Sequence, residues 1–136
     1  MAGYSKTLLV TKLGIKAGQS VAVVNAPKNF VAKELQPLPE NVRISAAQIG
    51  KQLGFIMLFV DSEKTLNKEL PRLKEKLARD GIFWVSWPKK SSGLETDLSF
   101  GVVQQSGLKN GLVDVKICAV NDIWSGLKFV YRLKDR

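Results

Sequence analysis

The sequence contains no histidine and only one cysteine, Cys118, among its 136 residues. The absence of histidine excludes Ser-His-Asp and Cys-His catalytic devices, a histidine general base and a histidine metal ligand. A single cysteine cannot form an internal disulfide, so the fold does not depend on oxidation. Cys118 lies in the apolar run 115–120 with no neighbouring base or helix N-terminus. We interpret it as a small buried strand residue rather than a reactive thiolate.

Long apolar segments are missing as well. No stretch approaches the roughly 20 apolar residues that a membrane span needs, and residues 1–6 lack the apolar core of a secretion signal. We therefore expect a cytoplasmic protein without membrane contact. Its length predicts a single domain over residues 1–136, which buries roughly two-thirds of the surface of its unfolded chain.

Positive charge dominates, with 21 Lys+Arg against 12 Asp+Glu and a net charge of +9. This excess favours contact with polyanions or phosphorylated ligands. The basic residues are nevertheless dispersed, and the longest run is Lys89-Lys90. Arginine, which makes bidentate contacts to phosphate and guanine, is scarce. The charge therefore predicts no more than non-specific contact with nucleic acid.

Continuous apolar runs alternate with segments of helical periodicity along the chain. Fully apolar strands are typically covered on both faces, as in a parallel sheet, and two apolar runs joined by a short loop indicate an antiparallel hairpin. The predicted strands are residues 20–24, 42–45, 55–60 and 82–87, followed by a hairpin of residues 113–120 and 127–133. This order predicts an α/β, Rossmann-like fold with a mostly parallel sheet, helices on both faces and a C-terminal antiparallel hairpin.

Capping and breaking residues set the expected ends of the first helices. Ser5 and Gly14 are expected to cap a helix at residues 6–13, and a helical turn or two follows at residues 29–35. Residues 46–53 fit neither a helix nor a strand clearly.

The later helices are predicted from Ser62 onward. Because Pro71 suits the first position of a helix better than its interior, we expect a break near residues 68–70. A new helix would follow at residues 71–78 and end at Asp80-Gly81. The last helix is expected to start at a cap, Thr96 or Asp97, and to finish near Ser106, Gly107 and Gly111.

The strands and turns resemble parts of the class I methyltransferases that depend on S-adenosylmethionine. Residues 70–88 resemble the region of the fifth strand in that family, where a helix ends at Pro-Gly-Gly or Asp-Gly and a strand follows. The closing hairpin resembles the sixth and seventh strands, and residues 13–21 resemble the lead-in to the first strand. The resemblance implies a methyltransferase-like topology and says little about activity.

The cofactor motifs of that family are missing from this sequence. The turn after the first strand, residues 25–29, contains no glycine, and Pro27 has no amide donor. The second strand, residues 42–46, ends without the acidic residue that usually holds ribose hydroxyls. We therefore predict no cofactor and no metal, and we lean against an enzyme.

A second resemblance is to a bacterial domain-of-unknown-function family of small proteins. It rests on motifs that span nearly the whole chain: YS at 4–5, LGIK at 13–16, NAP at 25–27, WVSWPKK at 84–90, LVDVK at 112–116 and WSGLK at 124–128. This resemblance implies no assigned activity and supplies no catalytic residues.

A candidate site follows from the predicted sheet, because open α/β sheets bind ligands beyond the carboxyl ends of their strands. That edge would carry a side-chain amide, a carboxylate, an aromatic ring and several cations, suited to a small anionic or nucleotide-like ligand. The residues placed there are Asn25, Pro27, Lys28, Asp61, Ser62, Trp87, Lys89 and Lys90.

Each of these residues also has a purely structural interpretation. Asn25 suits a turn, Ser62 an N-cap, and Asp61 the positive end of a helix dipole. Trp84 is expected in the core, whereas Trp87 and Trp124 are open between core and interface.

The leading functional hypothesis is a non-catalytic Rossmann-like module that binds a small anionic ligand or a protein partner at this edge. The first alternative is a degenerate or atypical S-adenosylmethionine-dependent methyltransferase, with Asn25 and Asp61 holding the cofactor. The second alternative is non-specific nucleic-acid binding through net positive charge.

Overall fold

The computed structural model describes residues 8–45 and 52–136. Within them the strands are β1 (Ser20–Val24), β2 (Arg43–Ser45), β3 (Leu53–Phe59), β4 (Leu77–Pro88), β5 (Leu112–Ala119) and β6 (Trp124–Tyr131). The helices are α1 (Leu9–Leu13), α2 (Phe30–Glu34), α3 (Glu63–Lys74) and α4 (Phe100–Lys109), with short 3-10 turns at Lys90–Ser92 and Leu133–Asp135.

The six strands form one sheet in the order β2-β1-β3-β4-β6-β5. The first four strands are mutually parallel, and β6 runs antiparallel to both β4 and β5. The predicted parallel sheet and its closing hairpin are confirmed. The described strand β1 coincides with the predicted segment, because its apolar run is unbroken and bounded by turn residues.

Helices cover both faces of the sheet. On one face α3 and α4 pack against the central strands through Leu66, Leu70 and Val103. On the other face α1 and α2 contribute Leu13 and Phe30. The central strands β1 and β3 are therefore buried on both sides, as their continuous apolar sequences predict.

The expected break at Pro71 is wrong, because α3 is one continuous helix with Pro71 inside it. Leu66, Leu70 and Leu73 are fully buried on its inner side, so the helix is held to the sheet before and after the proline. Pro71 itself is exposed, which places its missing N–H on the solvent side. Tertiary packing here overrides the local preference of proline.

The segment after α3 also differs from the prediction, because β4 already begins at Leu77. Leu77 pairs with Leu53, and a register shift follows before Phe55 pairs with Ile82. Gly81 lies in this irregular part of the strand, where an added Cβ would come within 2.9 Å of the Ala78 carbonyl oxygen. Asp80-Gly81 is thus part of a strand irregularity and not the end of a helix.

The cap of α4 is Ser99, whose Oγ accepts a hydrogen bond from the Val102 N–H at 3.3 Å. The predicted caps serve the preceding loop instead. The Thr96 hydroxyl donates to the Asp61 carbonyl at 2.7 Å, and Asp97 accepts from the Glu63 N–H at 2.8 Å. These two bonds tie the loop before α4 to the start of α3.

The ends of α1 and α4 depend on glycine in different ways. Gly14 ends α1 in the left-handed conformation at φ 92°, as predicted, while the expected cap Ser5 lies outside the described residues. Gly107, expected at the helix exit, lies inside α4, where an added Cβ would overlap the ring of Phe129. Gly111, at φ 82°, follows the end of the helix.

Trp84 is a core residue, as predicted. Its ring is fully buried, and its Nε1 donates a hydrogen bond to the Leu13 carbonyl at 2.8 Å. This bond links the middle of β4 to the end of α1. Cys118 lies in β5, as predicted, but on this edge strand it is only half-buried.

Candidate functional site

At β1 the chain changes the side of the sheet to which it adds the next strand. From β1 it passes to β2 on one side, and it then returns to β3 on the other side. In open α/β sheets the carboxyl ends of the strands that flank such a switch point form the usual ligand crevice. A depression of about 210 Å³ lies here, lined by Asn25, Phe59, Val60, Asp61, Thr65 and Trp124.

The turn after β1 adopts left-handed backbone conformations without any glycine. Asn25 has φ 59° and Asn29 has φ 64°. Asparagine tolerates this region better than other residues with a Cβ, because its short polar side chain can hydrogen-bond locally. The missing glycines therefore do not prevent a tight turn at the end of β1, although Pro27 still removes one amide donor.

Asp61 supplies the charge of the depression. Its backbone carbonyl is held by the Thr96 hydroxyl. Its side chain is exposed, and no residue in the described ranges donates a hydrogen bond to its carboxylate. The carboxylate is therefore available to a ligand.

Ser62 is occupied by its structural role. Its Oγ accepts the Thr65 N–H at 3.2 Å and donates to the Thr65 Oγ1 at 3.0 Å, which caps α3. Thr65, one helical turn after the cap, lines the depression, while Ser62 does not.

Aromatic rings form the apolar wall of the depression. Phe59 is buried, and its ring meets those of Phe30 and Trp124 edge-on at 4.9 and 5.1 Å between centroids. Trp124 is the first residue of β6, and its backbone N–H donates a hydrogen bond to the Asn121 Oδ1 at 2.9 Å. The half-buried Trp124 ring, which packs edge-on against Phe59, therefore lines the depression.

The remaining predicted site residues do not line this depression. Trp87 is 5% exposed and belongs to the core on the side of α3 and α4. Lys89 is half-buried and its N–H donates to the Ile123 carbonyl at 2.8 Å. Lys90 is exposed at the start of a 3-10 turn, and Lys28 is exposed before α2. Of the predicted residues, the depression brings together Asn25 and Asp61.

Negative charge surrounds this part of the edge. A second depression of about 320 Å³ shares Asp61 with the first and is also lined by Ser62, Glu95, Thr96 and Asp97. Three carboxylates therefore lie along one stretch of the carboxyl edge. They disfavour an anion and favour groups that carry positive charge or donate hydrogen bonds.

A larger cavity of about 490 Å³ lies elsewhere. It is a groove between α3 and α4 whose lining includes Glu63, Asn67, Gln105 and Lys109. None of the described strand residues lines this groove, and its polar side chains come from α3, α4 and the cap of α4.

Four residues of the depression, Phe59, Val60, Thr65 and Trp124, were not predicted as site residues. Thr65 follows Ser62 by three residues, so the cap at Ser62 was the signal for its position. The register of the hairpin pairs Trp124 with Pro88 and so brings Trp124 to the carboxyl end of β4. Sequence alone does not give that register.

Within residues 8–45 and 52–136, no three His, Cys, Asp or Glu side chains converge as metal ligands would. No helix in those ranges is long and apolar enough to cross a membrane.

Solved structures with a similar fold include S-adenosylmethionine-dependent methyltransferases. One from Aquifex aeolicus is 14% identical with a TM-score of 0.64, and the match covers 89% of this chain and 86% of that one. A TehB-like methyltransferase from Corynebacterium glutamicum is 10% identical with a TM-score of 0.60, covering 96% and 91%. Magnesium protoporphyrin IX methyltransferase from Synechocystis, solved with bound S-adenosylmethionine, is 9% identical with a TM-score of 0.58, covering 91% and 74%.

No protein-family model and no curated protein sequence matches the chain. At identities of 9% to 14% the likeness concerns the fold alone. It confirms the predicted Rossmann-like, methyltransferase-like architecture, which this chain shares with the class I S-adenosylmethionine-dependent methyltransferases.

Proposed function

We propose that this protein binds S-adenosylmethionine, or its demethylated product, in the depression at the switch point. One observation carries the proposal: the available carboxylate of Asp61 and the ring of Trp124 line the same depression beyond β1 and β3. Positively charged groups are attracted both to a carboxylate and to the face of a tryptophan ring. S-adenosylmethionine carries an ammonium and a sulfonium group, together with ribose hydroxyls that donate hydrogen bonds.

The residues present fit such a ligand in part. Asp61 can accept hydrogen bonds from hydroxyl or ammonium groups, and Asn25 and Thr65 supply further polar groups. Because Asp61 also lines the second depression, an extended ligand has room to continue along the edge. Two features of the methyltransferase pattern remain absent from the sequence, the glycine-rich turn after β1 and the acidic residue at the end of β2.

The proposal concerns binding. A bound S-adenosylmethionine supplies a reactive methyl group, and a transfer step also needs an acceptor. Among the described lining residues of the depression, Asp61 is the titratable group. The chain's own residues would therefore hold and orient the ligand, with the Asp61 carboxylate accepting hydrogen bonds from it.

Isothermal titration calorimetry with S-adenosylmethionine and S-adenosylhomocysteine tests this proposal. We expect binding by the wild-type protein and a loss of at least about tenfold in affinity for Asp61→Asn, because a hydrogen bond to a charged group is worth roughly 1.5–3 kcal/mol. The matched control is Asp122→Asn, which removes an exposed carboxylate outside both depressions and should leave affinity unchanged.

Two results would contradict the proposal. One is no binding of either compound at millimolar concentration. The other is stronger binding of inorganic phosphate or ATP that is lost in Lys28→Gln, Lys89→Gln and Lys90→Gln, which would favour a module for small anionic ligands instead. Binding of neither class would redirect the search to a protein partner.

A further inference from the structure

Four lysines gather on the face of the sheet that α1 covers. Lys116 on β5 pairs directly with Lys128 on β6, and Lys128 pairs with Trp84 on β4. The Trp84 ring contacts the end of α1, so this row of residues faces α1. We call Lys12, Lys16, Lys116 and Lys128 the lysine face.

The end of α1 brings the other two lysines to this row. The Lys12 Nζ donates a hydrogen bond to the Ala119 carbonyl of β5 at 3.4 Å. The Lys128 Nζ lies 4.0 Å from where a Cβ on Gly14, the C-cap of α1, would stand. Lys16 follows two residues later and is exposed.

The charges of the lysine face repel one another. Burial, and then the positive charges of Lys116 and Lys16, hold the pKa of Lys128 below its ordinary value. Burial raises the pKa of the Cys118 thiol, and Lys12 and Lys116 act against that rise. No carboxylate among the described residues contributes to either shift. Like charges placed directly across two strands destabilise a sheet.

We propose that the lysine face binds the phosphate backbone of a nucleic-acid duplex. A polymer with regularly spaced phosphates neutralises several lysines at once and relieves their repulsion. Single-strand binding proteins add exposed aromatic rings on which bases stack. Trp84, the aromatic residue of the described row, is fully buried and offers no such platform. The face is therefore suited to a backbone and not to unstacked bases.

The negative charge at the carboxyl edge of the sheet also favours binding of the nucleic acid at the lysine face. Asp61, Glu95 and Asp97 lie at the carboxyl edge, where they repel a polyanion. The excess positive charge of the chain is thus unevenly distributed. The lysine face is distinct from the switch-point depression, because none of its residues lines that depression.

Fluorescence anisotropy with short labelled DNA and RNA duplexes over a range of salt concentrations tests the proposal. The variant replaces Lys12, Lys16, Lys116 and Lys128 with Gln. The matched control replaces Lys33, Lys64, Lys68 and Lys109, which are exposed on helices, with Gln and so removes the same charge. If four phosphates are neutralised, log affinity should fall with log salt at a slope of about −3.6.

We expect the lysine-face variant to lose at least tenfold in duplex affinity and most of that slope, while the control keeps both. The melting temperature of the variant at low salt should not fall, because the substitutions remove repulsion, which separates lost binding from lost folding. Its affinity for S-adenosylmethionine should equal that of the wild type, so failure here is distinct from failure of the proposed cofactor site.

Other outcomes overturn the inference. Equal losses in both variants would mean that net charge alone drives binding. Tighter binding of single strands than of duplexes would require stacking that this face does not offer. Binding to phosphatidylserine vesicles, but not to duplexes, that is lost in the same variant would assign the face to an anionic membrane surface.

Discussion

Asn25 illustrates how a single residue changes the interpretation of a site. The sequence predicted no ligand-binding turn after the first strand, because residues 25–29 contain no glycine. In the structure Asn25 and Asn29 adopt the left-handed conformations that glycine usually provides. The sequence predicts that Asn25 and Asp61 lie at strand ends, because each directly follows the last residue of an apolar run. It could not predict the backbone angles, which depend on how the turn packs.

The tryptophans show the same limit. Trp84 was predictable as core because it stands in the middle of an apolar run. Trp87 and Trp124 were not, since their exposure depends on what covers the last residues of β4. Trp87 is covered on the α3 and α4 side, whereas Trp124 is brought to the edge by its pairing with Pro88.

Gly107→Ala should destabilise the protein. The added methyl group would overlap the ring of Phe129, which is fully buried. Overpacking of this kind costs about 1–3 kcal/mol. Gly101→Ala is the matched control in the same helix, because no atom lies within 4 Å of its added Cβ. It should raise stability by about 0.4–1 kcal/mol. Urea unfolding measures both, and equal effects would refute the packing argument.

Lys128→Gln should raise the melting temperature at neutral pH. Because the pKa of Lys128 is lowered in the folded state by burial, Lys116 and Lys16, its charge destabilises the fold below that pKa. Wild-type stability therefore recovers as pH rises from the folded pKa toward 10.5. The advantage of Lys128→Gln over the wild type should shrink across that window in thermal melts. An advantage that grows with pH would contradict the sign of the shift.

At the scale of elements, local pattern located the strands and packing decided their ends. The apolar run 20–24 gave β1 without error, because neighbouring turns bound it on both sides. The start of β4 was missed, since Leu77 joins the sheet by pairing with the distant Leu53. The continuity of α3 was missed for a related reason, because three buried leucines hold it across Pro71.

Pro71→Ala should stabilise the protein. The substitution restores a backbone N–H within α3 at an exposed position, where proline is about 3 kcal/mol less favourable than alanine. We expect a gain of about 1–3 kcal/mol, reduced because proline also restricts the unfolded chain. Lys68→Ala, exposed in the same helix, is the control and should change stability by less than about 0.5 kcal/mol. Urea unfolding that shows a loss for Pro71→Ala would mean that the helix requires the proline geometry.

At the scale of the whole molecule, the distribution of charge matters more than its sum. A net charge of +9 favoured an anionic ligand at the carboxyl edge. The fold instead places Asp61, Glu95 and Asp97 along that edge. It places the four lysines of the lysine face on the side of the sheet that α1 covers. Sequence gave no sign of this separation, because the residues involved are far apart along the chain.

The central claim is that the switch-point depression is a binding site for S-adenosylmethionine, and NMR titration of isotope-labelled protein tests it most directly. We predict saturable shifts of the backbone amides of Asn25, Asp61 and Thr65 and of the Trp124 indole N–H, with no change at Lys116 or Lys128 on the lysine face. Shifts confined to the groove between α3 and α4, or no saturable shift at any residue, would contradict the account.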